Sequence, residues 1–341
     1  MGKIKDIITE LNLTEEQQKD KDIQKFVLAV GYRKQTGDWY QYWNGNGYCE
    51  LNKKNGTMIT TVLTDEPFKA EFPLNMDVHT SDRCIMGCEF CYANCTKEGK
   101  HADIKGLIAD TNSFIYSIHE GTELALNGNE PIHPDMELLL QFCKDRNIIA
   151  NLTVNEVTLL THTEQLENWL DNGLIHGIGI SPKLFSDDMI KFCQKHPTAV
   201  LHTIAGVTTP DEFKTIMDKD LKVLVLGYKT FGRGIEYILN ESETISDNTN
   251  WLQNNIQDFV KHFKVVSFDN LAVTQLNVKA WLSEEQWETF YRGDDGNHTL
   301  FVDLVNMSFA KNSMQPRSSH YAVLPTTEEM LKVIQNEQNA N

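Results

Sequence analysis

The chain has 341 residues, with 31 lysines and arginines against 48 aspartates and glutamates, and a formal net charge of -17. Hydrophobic residues make up 40% and charged residues 23%, a globular composition that excludes intrinsic disorder and fibrous repeats. The acidic surplus argues against binding of long nucleic acids, and no apolar run approaches the roughly 18 residues of a membrane span. Because the N-terminus has no export signal, we expect a cytoplasmic, reducing location in which disulfides are rare.

The first 73 residues predict helices followed by a small antiparallel meander. Apolar residues at helical spacing indicate a helical stretch within residues 1–25. Asn-Gly pairs at 44–45 and 55–56 separate short strand-like runs, and such pairs are strong hairpin signals. We therefore assign residues 1–73 to an N-terminal helical and β-meander segment.

From Leu74 onward, predicted strands alternate with predicted helices. The strands are Asn75–Thr80, Glu123–Leu126, Ile148–Val154, Ile175–Ile180, Ala199–Ile204 and Leu221–Leu226. Six strands joined by helices require right-handed crossovers and a parallel sheet. The pattern predicts an α/β fold, with a partial (βα)6 TIM-like barrel over residues 74–235.

After residue 235 the alternation becomes irregular. Helices are predicted over Thr249–Phe263, Ser283–Tyr291 and Thr326–Glu337, and strands over Val265–Phe268, Leu271–Leu276 and Thr299–Asn306. We assign residues 236–341 to a C-terminal α+β extension that covers the mouth of the barrel.

Three cysteines directly after the first barrel strand have metal-ligand spacing. Cys84, Cys88 and Cys91 form a Cx3Cx2C motif, in which Gly87 helps the backbone to curl around one metal centre. Three thiolates on a four-iron cluster leave one iron open for chemistry. The alternative is a structural zinc site with His79 or Cys95 as the fourth ligand.

A basic loop follows the sixth strand. Lys229 and Arg233 lie there among three glycines, an arrangement that suits a carboxylate or a phosphate. Because the protein is acidic, this loop predicts a small anionic metabolite or nucleotide as substrate. The alternative is a solvated loop whose glycines serve turn geometry.

The cysteine motif resembles the Cx3CxφC signature of the radical S-adenosylmethionine (SAM) superfamily, in which φ is aromatic and corresponds to Phe90. The resemblance implies a [4Fe-4S] cluster on Cys84, Cys88 and Cys91. It also implies SAM bound at the unique iron, with Phe90 and Tyr92 near its adenine. Such an enzyme is oxygen-sensitive and takes its electron from an external donor such as a flavodoxin or ferredoxin.

A second segment, at the end of the second barrel strand, resembles the Gly-Gly-Glu-Pro motif of the same superfamily. Gly128 and Glu130 match the first glycine and the glutamate of this motif, and Asn129 stands in place of the second glycine. The resemblance implies that this segment binds the amino group of SAM. Asn155 and Ser181 end the next two strands, where superfamily members contact the ribose and carboxylate of SAM.

Residues from about 75 to 230 resemble stand-alone radical SAM proteins of phage and bacterial genomes that have no assigned substrate. The resemblance implies reductive cleavage of SAM to a 5′-deoxyadenosyl radical that abstracts hydrogen from the substrate. The sequence assigns no further catalytic residue, and no cysteine follows Cys193 to hold an auxiliary cluster. Two alternatives stay open: a peptide- or protein-modifying radical SAM enzyme, and a zinc-stabilised binding protein without turnover.

Overall fold

The computed structural model describes residues 2–54, 56–63, 66–291 and 293–340. It divides the chain into two compact units, one ending at Ala70 and one beginning at Glu71. This division lies close to the predicted boundary at residue 73. The predicted boundary at residue 235 stays a prediction.

The first unit contains two helices and a three-stranded antiparallel sheet. Its elements are α1 (Gly2–Glu10), α2 (Lys21–Thr36), β1 (Trp39–Asn44), β2 (Gly47–Asn52) and β3 (Met58–Val62). The Asp20 side chain caps α2, and Gly37 ends it at a φ of +70°. Gly45, at a φ of +56°, turns β1 into β2, as the first Asn-Gly pair predicts. Asn55, in the second pair, lies outside the described residues.

The second unit is built on one large sheet. Its strands are β4 (Asn75–His79), β5 (Glu123–Gly128), β6 (Ile149–Asn155), β7 (Gly177–Ser181), β8 (Ala199–Ile204), β9 (Lys222–Leu226), β10 (Val265–Phe268), β11 (Thr299–Asp303), β12 (Ser308–Ala310) and β13 (Tyr321–Ala322). Their order is β10-β9-β8-β7-β6-β5-β4-β11-β12-β13, and the pairs from β10 to β11 are all parallel. Among the described residues no pairing joins β10 to β13, so a closed barrel is not shown.

Helices connect the parallel strands, as the sequence predicts for an α/β protein. They are α3 (Ile104–Ala109), α4 (Met136–Asp145), α5 (Glu156–Thr161), α6 (Thr163–Asp171), α7 (Asp187–Lys195), α8 (Pro210–Ile216), α9 (Gly234–Asn240), α10 (Ser242–Phe259), α11 (Asn270–Gln275), α12 (Glu284–Phe290) and α13 (Thr327–Ala340). None of the described helices combines the length and the apolar content that a membrane crossing requires.

The prediction of a strand over Leu271–Leu276 is wrong, because this segment forms α11. The Asp269 side chain accepts a hydrogen bond from the Ala272 amide at 2.7 Å and thereby caps the helix. Ala272 and Leu276 are fully buried and lie four residues apart, which is the spacing of one helix face. The sequence analysis also assigned no helix to Gly234–Asn240, where the structure has α9.

The two faces of the parallel sheet differ in polarity. In β4, Met76 and Val78 belong to the hydrophobic core, whereas Asp77 between them is accessible from the opposite face. Asp77 is aligned through β5 with Asn151 of β6 and then with Gly177 of β7. Because aligned residues of parallel strands share a face, Asp77 and Asn151 lie on the same face of the sheet, opposite the core side chains of β4.

Candidate functional site

The cysteine loop, residues 80–103, connects the carboxyl end of β4 to α3. The Cys91 amide donates a hydrogen bond to the Cys88 carbonyl at 3.2 Å. Gly87 has a φ of +61°, a left-handed conformation that glycine adopts without strain. The backbone therefore turns sharply between Cys84 and Cys88, as the metal-site prediction requires.

The three thiols of the motif are partly exposed and influence one another. Burial raises the pKa of Cys88, and the neighbouring Cys91 and Cys84 raise it further. Sulfur ligands of one zinc ion lie about 2.3 Å from the metal and so about 4 Å apart. Among the described residues these three sulfur atoms are not all within 4.8 Å of one another. These sulfur positions are therefore wider apart than the ligands of one bound zinc ion, and the identity of the metal group stays a prediction.

Arg233 holds the cysteine loop from the segment between β9 and α9. Its Nε donates to the Cys88 carbonyl at 2.9 Å. Its Nη1 donates to the Cys95 carbonyl at 3.0 Å and to Asn94 Oδ1 at 3.2 Å. The guanidinium group is thus engaged with the loop, and binding of a substrate anion by Arg233 stays a prediction.

Two glycines allow backbone segments to approach each other closely around this loop. At Gly232, where φ is +52°, a Cβ atom would lie 2.5 Å from the Tyr92 carbonyl oxygen. At Gly128, a Cβ atom would lie 2.7 Å from Val154 Cγ1 and 2.9 Å from the Thr153 carbonyl oxygen. A side chain at either position would force the neighbouring strand or loop to move.

Asn129 joins the segment after β5 to the cysteine loop. Its Nδ2 donates to the Ser81 carbonyl at 2.7 Å and to the Arg83 carbonyl at 2.9 Å. The Glu130 carbonyl accepts a hydrogen bond from the Ile85 amide at 2.7 Å. Asn129 therefore supplies side-chain hydrogen bonds that the glycine of the superfamily motif could not make.

The Glu130 carboxylate has an unused acceptor. Its Oε2 is buried and receives no hydrogen bond from the described residues. His162 Nε2 lies 3.4 Å from it and is likewise buried without a hydrogen bond. Leaving a buried acceptor without a donor costs about 1–3 kcal/mol. This position can therefore accept a hydrogen bond from a ligand, and an ammonium group is a suitable donor.

Asn155 and Ser181 end two adjacent strands, β6 and β7, and are aligned with each other. Asn155 Oδ1 accepts from the Thr158 amide at 2.9 Å and its Nδ2 donates to Thr158 Oγ1 at 2.8 Å. The Asn155 side chain therefore caps α5. The Ser181 hydroxyl has no hydrogen bond to another described residue, so it is the freer of the two for a ligand.

Two residues that position this edge of the sheet were missed by the sequence analysis. The Glu156 carboxylate accepts four backbone hydrogen bonds from residues 183–186, at 2.6–2.9 Å. Asn127 Oδ1 accepts from the Thr80 amide at 2.6 Å. Asn127 directly precedes the Gly-Asn-Glu-Pro segment, which was a usable signal. No comparable signal pointed to Glu156, because its partners are backbone amides of residues 183–186 and leave no side-chain pattern in the sequence.

A second group of possible metal ligands lies beside the cysteine loop. One ligand atom each from His79, Asp82 and Cys95 lies within 4.8 Å of the others. His79 Nε2 is 2.7 Å from Asp82 Oδ1, and Arg317 Nη1 is 3.1 Å from Asp82 Oδ2. The Asp82 carboxylate is therefore already compensated by a protein cation. A hydrogen bond from Cys95 lowers the pKa of Cys91 to about 6.

The aromatic residues of the motif contact the segments after β9. Lys229 Nζ lies 4.0 Å from the Tyr92 ring centroid and donates to Ser313 Oγ at 2.8 Å. The Phe90 ring packs edge-on against Tyr237 of α9, with ring centroids 5.9 Å apart. The structure thus brings the predicted residues Lys229 and Tyr92 together.

An acidic cavity of about 140 Å³ adjoins Lys229. Its lining includes Asn75, Asp77, Lys229, Asp269, Asn270, Leu271, Asp295, Thr299, Phe301, Lys311, Asn312, Ser313 and Met314. Burial opposes the charge of Lys229, but the negative groups around it, including Asp77, raise its pKa overall. The sequence analysis did not identify this cavity.

The chain matches no protein-family model. A search of curated proteins found no match either. The resemblance to the radical SAM superfamily therefore depends on the motif residues themselves.

Proposed function

We propose that the protein is a radical SAM enzyme with a [4Fe-4S] cluster on Cys84, Cys88 and Cys91. The observation that carries this proposal is the buried Glu130 Oε2, which accepts no hydrogen bond from the described residues although His162 Nε2 lies 3.4 Å away. The Glu130 carbonyl is bonded to the cysteine loop through the Ile85 amide. An acceptor in this position suits the ammonium group of SAM.

The remaining residues have supporting roles in this proposal. Arg233 and Asn129 hold the backbone of the cysteine loop, while Phe90 and Tyr92 would flank the adenine. Ser181 offers a free hydroxyl to the ribose or carboxylate. When bound and reduced, the cofactor pair supplies a 5′-deoxyadenosyl radical that abstracts hydrogen from the substrate. The protein contributes binding, orientation and exclusion of water.

We infer that β4 to β9 act as a partial (βα)6 barrel, extended on its two sides by β10 and β11. The consecutive order of these parallel strands supports this reading. So does the position of the candidate groups, since ligands in such folds bind at the carboxyl ends of strands. Residues 311–314 line the acidic cavity together with Asp77, which supports a covering role for the C-terminal extension.

Formation of 5′-deoxyadenosine tests the proposal. Anaerobically reconstituted protein, given dithionite and SAM, should produce it, and Cys88→Ala should lose this activity. Cys193→Ala is the matched control, because Cys193 is a buried cysteine of α7 outside the loop. Absence of product from protein loaded with iron and sulfide would overturn the proposal.

A zinc-stabilised binding protein is the second candidate. It is favoured by the grouping of His79, Asp82 and Cys95, three ligand types that zinc accepts. Metal analysis separates the two candidates, because this alternative requires stoichiometric zinc, a colourless protein and no cleavage of SAM.

The proposed substrate is a small molecule, which the dimensions of the acidic cavity favour over a protein or a folded peptide. An anionic substrate was expected from Lys229 and Arg233. Lys229 donates to Ser313, and Arg233 donates to the cysteine loop. Because both cations already have protein partners, an anionic probe is compared with other probes in the binding experiment below. A flavodoxin or ferredoxin as electron donor and a cytoplasmic location belong to the same proposal.

A further inference from the structure

The acidic cavity contains a carboxylate that no protein group contacts. Asp77 lines the cavity from β4, and among the described residues it has neither a hydrogen bond nor an ion pair. Burial is the largest influence on its pKa and raises it, Lys229 lowers it, and Asp295 and Asp269 raise it. Asp77 is exposed on the face of β4 opposite the core, so its carboxylate is open to whatever occupies the cavity.

The other charged groups of this lining are mostly satisfied by the protein. Asp269 accepts hydrogen bonds from two backbone amides, at 2.8 and 2.7 Å. Asp295 accepts from two asparagine side chains, at 2.7 and 2.9 Å. These donors are neutral amides, so among the described residues neither carboxylate forms an ion pair. The lining thus has three aspartates against two lysines, Lys229 and Lys311.

The cavity also lies next to the candidate SAM site. Lys229 contacts the Tyr92 ring on one side and Ser313, a lining residue, on the other. The same lining includes the apolar side chains of Phe301 and Met314. A small molecule in the cavity would therefore meet a carboxylate, an apolar wall and Lys229, which contacts the residue expected near the adenine.

We propose that the cavity binds the substrate through a protonated amine that donates to Asp77. This inference rests on the proposed function and deepens it by naming the substrate class, a small amine with an apolar carbon skeleton. An ammonium group would give Asp77 the charge-assisted hydrogen bond that it lacks. A substrate anion in the same place would face three carboxylates.

The test compares three probes with the same carbon skeleton: butylamine, butan-1-ol and butyrate. Apparent dissociation constants are obtained from the dependence of the melting temperature on probe concentration, for the full chain after anaerobic reconstitution at constant ionic strength. Asp77→Asn is the informative variant. Asp188→Asn, on the exposed surface of α7, is its matched control.

Butylamine should bind about tenfold more tightly than butan-1-ol, as expected for a hydrogen bond to a charged group. Asp77→Asn should remove this preference, and Asp188→Asn should keep it. Without probes, Asp77→Asn should melt no lower than the wild type, because it removes an uncompensated carboxylate. That measurement separates loss of binding from loss of folding.

Tighter binding of butyrate, with loss in Lys229→Gln, would overturn the inference in favour of an anionic substrate. Equal binding of butylamine and butan-1-ol would also overturn it. Formation of 5′-deoxyadenosine is measured on the same preparations. If 5′-deoxyadenosine forms but butylamine is not preferred, only the amine inference fails. If butylamine is preferred but no 5′-deoxyadenosine forms, only the proposed function is contradicted.

Discussion

In the cysteine loop, the polar side chains of Arg233 and Asn129 hold backbone carbonyls, whereas in the acidic cavity Asp77 has no protein donor. The first region uses its hydrogen-bonding groups to fix a shape. The second leaves one group unsatisfied. A carboxylate that is open to a cavity and has no protein donor can accept a hydrogen bond from a ligand, whereas the donors of Arg233 and Asn129 are already engaged.

The two regions also differ in how far apart their residues lie in the chain. The three cysteines lie within eight consecutive residues, Cys84 to Cys91. The cavity collects side chains from Asn75 to Met314, which only the sheet order brings together. Substitutions in the two regions test whether the first holds the cysteine loop in a fixed shape and whether the second is an accessible polar surface.

The largest effect is expected for Gly232→Ala, which should destabilise the protein by about 3 kcal/mol or more. A left-handed φ alone costs about 1–2 kcal/mol for a non-glycine residue. The added Cβ would also overlap the Tyr92 carbonyl oxygen. Urea unfolding measures the loss, and the variant should also retain less iron after reconstitution.

Gly173→Ala is the control for this substitution. Gly173 also has a positive φ, of +62°, but a Cβ there would have no atom within 4 Å. It should therefore lose only the conformational part, about 1–2 kcal/mol, and keep its iron. Equal losses in the two variants would show that the contact between Gly232 and the cysteine loop is unimportant.

Glu123, on the polar face of β5 and aligned with Asn75 of the cavity, should make stability depend on pH. Burial raises its pKa from the ordinary 4.5 to about 7, although a hydrogen bond from Asn151 opposes this. The folded state therefore loses up to about 3 kcal/mol as pH rises from 4.5 through 7. Glu123→Gln should match the wild type near pH 4 and exceed its unfolding free energy by up to that amount at pH 8.

Urea unfolding of both proteins at the two pH values measures this difference. A constant difference between Glu123→Gln and the wild type at both pH values would contradict the burial of an ionisable carboxyl on the polar face.

The smallest effect is expected at Asn129. Asn129→Gly restores the superfamily residue but removes two hydrogen bonds to the cysteine loop, so it should cost about 1–2 kcal/mol. Asn129→Asp should cost more, because it places a carboxylate against two carbonyl oxygens. If Asn129→Asp were as stable as the wild type, Nδ2 would not be the group that holds the loop.

The cysteine loop was predictable because its chemistry is local. Spacing predicts Cys84, Cys88 and Cys91 as metal ligands, which stays a prediction, and the strand pattern places Glu130 just after β5, where the structure has it. Parallel strands were predictable from alternation with helices, although the extension by β10 and β11 was not. The alternation of strands and helices does not determine which strands are neighbours in the sheet, because any βα series is compatible with several strand orders.

The acidic cavity was not predictable, and the sequence does not show the contacts of its basic neighbours. A sequence shows that Arg233 is charged, but not whether its guanidinium meets a ligand or the carbonyls of the cysteine loop. Asp77 was visible only as a polar residue between Met76 and Val78. Leu271–Leu276 was predicted as a strand because a short apolar run fits both periodicities, and the Asp269 cap decides for the helix.

The most direct test of the account is the metal content of the reconstituted chain. We expect about four irons with matching sulfide per chain and a brown protein, kept in Cys95→Ala and lost in Cys88→Ala. Cys95→Ala is decisive, because a zinc site with Cys95 as its fourth ligand requires that thiol. A colourless protein with one zinc ion per chain, lost in Cys95→Ala, would contradict the account.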